Sequence, residues 1–179
     1  MKMRKWFVLL LVLAVLLAFS ACGSENGEQS TAQMDESEFL TRAAELNTEA
    51  YELATTLGSV GLFQMSFWQN LENIGGTANP ESVVERGFDW LEEDNGMTPD
   101  SVQADFDRLY AEYTALLDAS VTGEDVTEIQ GELSALFAHF TTIYETVTEP
   151  GTVFDSFVRN MHAGTSGVME SYERLNELL

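Results

Sequence analysis

Chemistry in this 179-residue chain has few residues to work with: one cysteine, two histidines and 30 carboxylates. His139 and His162 lack the neighbours that make a metal site. Leu136 precedes the first by three positions and Arg159 the second, so neither a His-Glu-x-x-His zinc motif nor a Glu-x-x-His di-iron motif is present. No haem-attachment motif accompanies His162 or Met65. No lysine follows Lys5, which excludes a phosphate-binding loop ending in Lys-Ser/Thr, and no Gly-x-Ser-x-Gly elbow occurs. The acids cluster as Glu92-Glu93-Asp94, as Glu124-Asp125-Glu128-Glu132 and as Glu170-Glu173-Glu177. The last two recur at helical spacing, which marks solvated helix faces. An EF-hand loop does not fit, because placing Gly96 at its glycine puts Leu91 where an aspartate is needed. No catalytic residue, metal ligand or cofactor is therefore expected, and the chain reads as a non-enzyme.

Cys22 is different, because its surroundings give it a role. Lys2, Arg4 and Lys5 precede an apolar run from Phe7 to Phe19, then Ser20, Ala21 and Cys22. The run is short for a membrane span and suits the apolar part of an export signal. Phe19-Ser20-Ala21-Cys22 resembles the lipobox of bacterial lipoproteins, although a leucine is usual where Phe19 stands. The resemblance implies cleavage before Cys22, diacylglycerol on its thiol, and anchoring to the extracytoplasmic face of the bacterial membrane. Two acyl chains suffice for stable anchoring. Residues 1–21 are then a leader, and 22–34 the lipidated cysteine with a polar Gly/Ser/Glu/Gln-rich tether. Residues 35–179 are a single domain.

Three of the eight basic residues precede Cys22. Arg42, Arg86, Arg108, Arg159 and Arg174 remain against 30 acids, a net charge of −25 after Cys22. Such a body is repelled by phosphate, which excludes nucleic acid, and by anionic headgroups, which leaves lipid on Cys22 as the membrane attachment. Arginine keeps its charge at alkaline pH where lysine begins to lose it, and salt screens self-repulsion. The composition suits a saline or alkaline medium.

The residues after Asp35 show apolar periods of three and four, and no alternating strand pattern. One stripe runs from Leu40 to Ile74 and ends at Gly75-Gly76, with Gly58 and Gly61 as candidate kinks. Asn79-Pro80-Glu81 starts a short helix that Asn95-Gly96 stops, and Thr98-Pro99-Asp100 starts the next. Thr122 to Asp125 opens a fourth. Pro150-Gly151 breaks the chain, and Thr152 with Asp155 is a candidate capping box for the last helix. The expected fold is all-α: an up-down antiparallel four-helix bundle, with the short Pro80 helix across an end or a side.

Pairing the first and last helices antiparallel, with Leu40 opposite Leu175–Leu179, brings Gly58/Gly61 within about two turns of Gly164/Gly167. Both pairs are Gly-x-x-Gly, so two notches meet as a close contact or a small pocket. Trp68 falls towards Phe154 and Phe157 on the same register. Phe63, Phe67, Trp68, Phe88 and Trp90 form core or an aromatic docking patch. The body also resembles a group of small helical lipoproteins of Gram-positive bacteria, through the lipobox, Trp68 in the first long helix and the Glu149-to-Phe157 break. That likeness implies a helical surface lipoprotein and supplies no activity. The expected role is a lipid-anchored, non-catalytic interaction module with a protein partner. The alternative is a surface lipoprotein binding a small ligand or a cation.

Overall fold

A computed structural model describes residues 34–77 and 79–179. The leader, Cys22 and all of the tether except Met34 lie outside the described residues. The rest is all-α, with five helices and no strand among the described residues. These are α1 (Glu36–Asn73), α2 (Pro80–Asn95), α3 (Pro99–Asp118), α4 (Val126–Thr148) and α5 (Phe154–Leu178).

Local chemistry sets most of the boundaries. Asp35 caps α1, its carboxylate accepting from the Glu38 N–H at 2.8 Å. Asn79 does the same for α2 by accepting from Glu81, and Pro80 occupies the first turn. Thr98 and Ser101 form a reciprocal capping box at α3, a partnership the Thr98-Pro99-Asp100 signal did not reveal. Gly75 and Gly96 follow α1 and α2 with φ of 76° and 69°, the left-handed geometry that glycine adopts without a Cβ clash.

One start signal is corrected, and another holds without the side-chain cap. The last helix is capped by Val153 with no side-chain hydrogen bond, so Thr152 and Asp155 make no capping box. α4 begins at Val126, and Asp125 precedes it in helical geometry without accepting a backbone N–H. The suggested kink is also absent: α1 is one continuous helix of 38 residues through Gly58 and Gly61. Both glycines are buried, so neighbours rather than propensity hold the helix there.

No helix has a basic residue in its last turn. The final carbonyls therefore lack the cations that usually complement a helix C-terminus. Neutral amides from neighbouring helices serve three of them instead, at two helix ends. Gln64 Nε2 on α1 donates to Val147 O at 3.0 Å, near the end of α4. Gln130 Nε2 on α4 donates to Leu116 O and Leu117 O, at the end of α3. Gln64 is wholly buried, with Gly87 of α2 against its side chain, so its amide is fixed from two sides.

The core gathers on α1, which touches all four other helices, and on the extensive α4–α5 interface. Phe39, Leu57, Leu109, Phe137, Phe140, Ile143 and Leu175 are among its fully buried side chains. α2 lies along the C-terminal half of α1, where Phe63 stacks on Trp90 at 5.5 Å and Gln64 meets Gly87. α3 continues along the N-terminal half of α1, through the ion pairs Arg108–Glu49 and Arg42–Glu112, both 2.6 Å. On α4 it meets an aromatic seam, Phe106 on Tyr144 and Tyr113 on Phe137. Three of the five arginines after Cys22 thus cross between helices, the third being Arg174 of α5 to Glu132 of α4. Solvent screening leaves such pairs little net stabilisation, and they chiefly fix register.

Candidate functional site

The two Gly-x-x-Gly pairs do not face each other. Gly58 and Gly61 on α1 look onto α5: a Cβ on Gly58 would sit 3.4 Å from Thr165 Cγ2, and one on Gly61 would meet the Met161 side chain. Gly164 and Gly167 on α5 look onto α4, against Ile143 and the backbone at His139, and against the His139 ring. The second pair is a close-packing device. His139 lies half-buried over Gly167, and a methyl there would sit 2.3 Å from its ring.

The α1–α5 register also differs from the expected one by about one to two turns. Tyr51 stacks on Tyr172 with ring centroids 4.0 Å apart, and Asn47 donates to Asn176 Oδ1 at 3.2 Å. Trp68 is buried, with Phe154 at 5.6 Å and Phe157 at 5.9 Å, and so closes one end of this interface as core. Phe88 is buried as well, while Phe63, Phe67 and Trp90 are half-buried around it. The aromatic group is therefore mostly packed, and its stack is not a free patch.

Between α1 and α5 a cleft of about 380 Å³ opens to solvent. Ala54 and Gly58 supply small residues at its base, and Ile143 of α4 closes it from below. Its walls carry Tyr51, Met65, Met161 and Val168, and its lips carry Leu62 and Met169. Leu62 is 60% exposed and Met169 52%, although leucine and methionine are elsewhere in this fold used as core. The small residues explain the opening. A larger side chain at 58 would close the gap that the helix spacing leaves.

The cleft contains no carboxylate, on a chain with 30 of them. Two of its hydroxyls are engaged with their own helix. Ser59 donates to Thr55 O at 3.2 Å, and Thr165 to Met161 O at 2.8 Å. His162 stands exposed at the rim with no acid among the lining residues to orient it. No nucleophile is paired with a base, so the arrangement offers apolar contact rather than proton transfer. Leu62 and Met169 stand outside the apolar stripes of their helices, which is the one sequence signal that pointed here, and periodicity alone could not bring the two together.

Elsewhere the charged groups are structural. Polar depressions along the α1–α3 seam hold Arg42, Arg108, Glu49 and Glu112, already joined as ion pairs. Among the described residues no group of three or more His, Cys, Asp or Glu is placed to hold a metal. Arg174 is held above its ordinary pKa, first by the hydrogen bond to Glu132 and then by the charge of Glu170. The Tyr144 hydroxyl donates to Gln103 Oε1. Its pKa is raised above 10.0, first by burial and then by the charges of Asp107 and Glu149. No helix among the described residues is long and apolar enough to cross a membrane.

Comparison with known proteins finds no matching family model, no matching curated protein and no matching solved structure.

Proposed function

We propose that this chain is a lipid-anchored extracytoplasmic protein whose helical body is a non-catalytic interaction module. The observation that carries the interaction role is the α1–α5 cleft, a carboxylate-free apolar strip with exposed Leu62 and Met169 on a chain of net charge −25 after Cys22. A strip of that kind on a strongly acidic surface marks a contact site. Its engaged hydroxyls and the lack of an acid beside His162 favour binding over catalysis. The anchor rests on the lipobox at Cys22 alone. Intact mass measurement of the membrane fraction tests it: a diacylglyceryl adduct on Cys22 is expected, and an unmodified thiol overturns it.

We read the architecture as an up-down antiparallel four-helix bundle in which α2 and α3 share one position, end to end along α1. The pairs Gln64–Gly87 and Arg108–Glu49 support this, as they place both short helices on α1 in descending order. The extra helix then lies along a side and across neither end.

The volume of the cleft supports a second reading, a small apolar ligand, since about 380 Å³ falls within the range of small-molecule sites. Thermal shift across a panel of neutral apolar compounds separates the two. A shift abolished by Leu62→Asp favours the ligand, and no shift favours the partner.

A further inference from the structure

Resting on the interaction reading above, we infer that the α1–α5 cleft receives a basic amphipathic helix from a partner protein. Three properties of the cleft select that occupant.

The first is shape. The lining spans Tyr51 to Met65 on α1, about 21 Å at 1.5 Å per residue. That length accepts about four turns of a third helix, seated between two others as ridges pack into grooves. Helix-in-groove recognition uses apolar anchors at i, i+3 or i+4, and i+7, and the walls of this cleft can accept them. Strand addition needs a free sheet edge, and the described residues have no sheet.

The second is side-chain type. Met65, Met161 and Met169 come together with Leu62 around the opening. Methionine is unbranched and polarisable, and suits a surface that must mould to a partner helix.

The third is charge, and it decides among occupants. The floor and walls contain no carboxylate, and the solvent side of α5 near them carries Asp155, Glu173 and Glu177, all exposed, while Glu170 is already paired with Arg174 and Arg159 is exposed on the same helix. Glu173 stands one turn along α5 from Met169. An apolar ridge flanked by lysines or arginines meets both features at once, grease in the cleft and cations on the acid row. A second copy of this chain carries the same −25 and is repelled, as is an anionic membrane surface.

The experiment uses the full chain and a fluorescein-labelled 18-residue Leu/Lys peptide, its leucines at helical spacing, read by anisotropy. A control peptide of the same composition has the leucines shuffled so that no apolar face forms. The structure predicts binding of the first and not of the second. Leu62→Asp and Met169→Asp should each weaken it at least about tenfold, about 1.4 kcal/mol. Ile74→Asp, at a position 80% exposed outside the cleft, should leave it unchanged. All three positions are solvent-exposed, so folding is retained and circular dichroism verifies it. Equal binding of the shuffled peptide would reduce the effect to bulk charge and overturn the proposal. Undiminished binding in both cleft variants would overturn it too. Failure of the peptide, with a neutral naphthylamine dye binding in a Leu62-dependent way, would assign the cleft to a small ligand. None of these outcomes bears on Cys22, so loss of the docking site and loss of the anchor are separately visible.

Discussion

Two glycine pairs with the same spacing do opposite things in this molecule. On α5, Gly164 and Gly167 let α4 approach until Ile143 and His139 fill the space where side chains would be. On α1, Gly58 and Gly61 face α5, and at Gly58 the space stays open as the base of a cleft. The spacing is shared, so the difference lies in the neighbours. Ile143 is β-branched and His139 is a ring, both held by a helix that is packed against α1 as well as α5. Met161 is buried but unbranched, so the end of its chain can turn aside, and Thr165 stands exposed. A small residue thus records only that something large was excluded, and its partner decides whether the vacancy is filled.

Substitution by alanine sharpens this contrast. Gly167→Ala and Gly164→Ala should have the largest effects. Each forces a methyl against a fixed neighbour, costing about 1–3 kcal/mol as overpacking does, reduced by the roughly 1 kcal/mol that alanine gains in helix propensity. A lower urea midpoint in both is the expected result. If both rise, the α4–α5 contact is not a close-packing device. Removing the ring as well tests the cause: His139→Ala with Gly167→Ala should be less damaging than the two single losses combined, measured by a double-mutant cycle.

Gly58→Ala should move the other way. The nearest atom lies at ordinary contact distance, so stability should rise by up to about 1 kcal/mol while the cleft becomes shallower. Gly61→Ala should fall between, because only the flexible Met161 chain has to move. A midpoint for Gly58→Ala as low as that for Gly167→Ala would erase the distinction between the pairs.

Smaller effects come from charge. On the α3 side of α4, Tyr144 holds its proton more tightly in the fold than in the unfolded chain, where its pKa is near 10.0. Between the two values the folded state binds more protons, so this contribution to stability is complete below about pH 10 and declines as pH rises through the folded pKa. Tyr144→Phe should flatten that decline in alkaline melts. Salt should act on both glycine pairs alike. Added NaCl screens a body of −25, and the melting temperature should rise in the wild type and in every glycine variant by a similar margin. No rise would remove the link between composition and a saline medium.

The boundaries that were legible in the sequence are those set by chemistry within a few residues. Asn79-Pro80, Thr98-Pro99, Gly75 and Gly96 each act on their own helix end, and the structure has the ends there. Thr152 and Asp155 show the weakness of the same method. The letters fit a capping box, but the chain enters α5 one residue later and the side chains never reach the backbone. The all-α class followed from periodicity. Register did not, because helix tilt and side-chain bulk at distant contacts such as Tyr51–Tyr172 shift it by about one to two turns. Nor could periodicity say which neighbour Gly164 and Gly167 face. It reports that a position points inward and is silent about towards whom. The cleft was the least legible feature, since Leu62 and Met169 lie off the apolar stripes of two different helices and only the packing of α1 on α5 brings them together.

The amides that hold the helix ends bear on where such a body can work. Gln64 and Gln130 carry no proton to lose in ordinary water and no charge for ions to mask. Whatever brine or lye does to the acids outside, the seams where α3 and α4 terminate are indifferent to it.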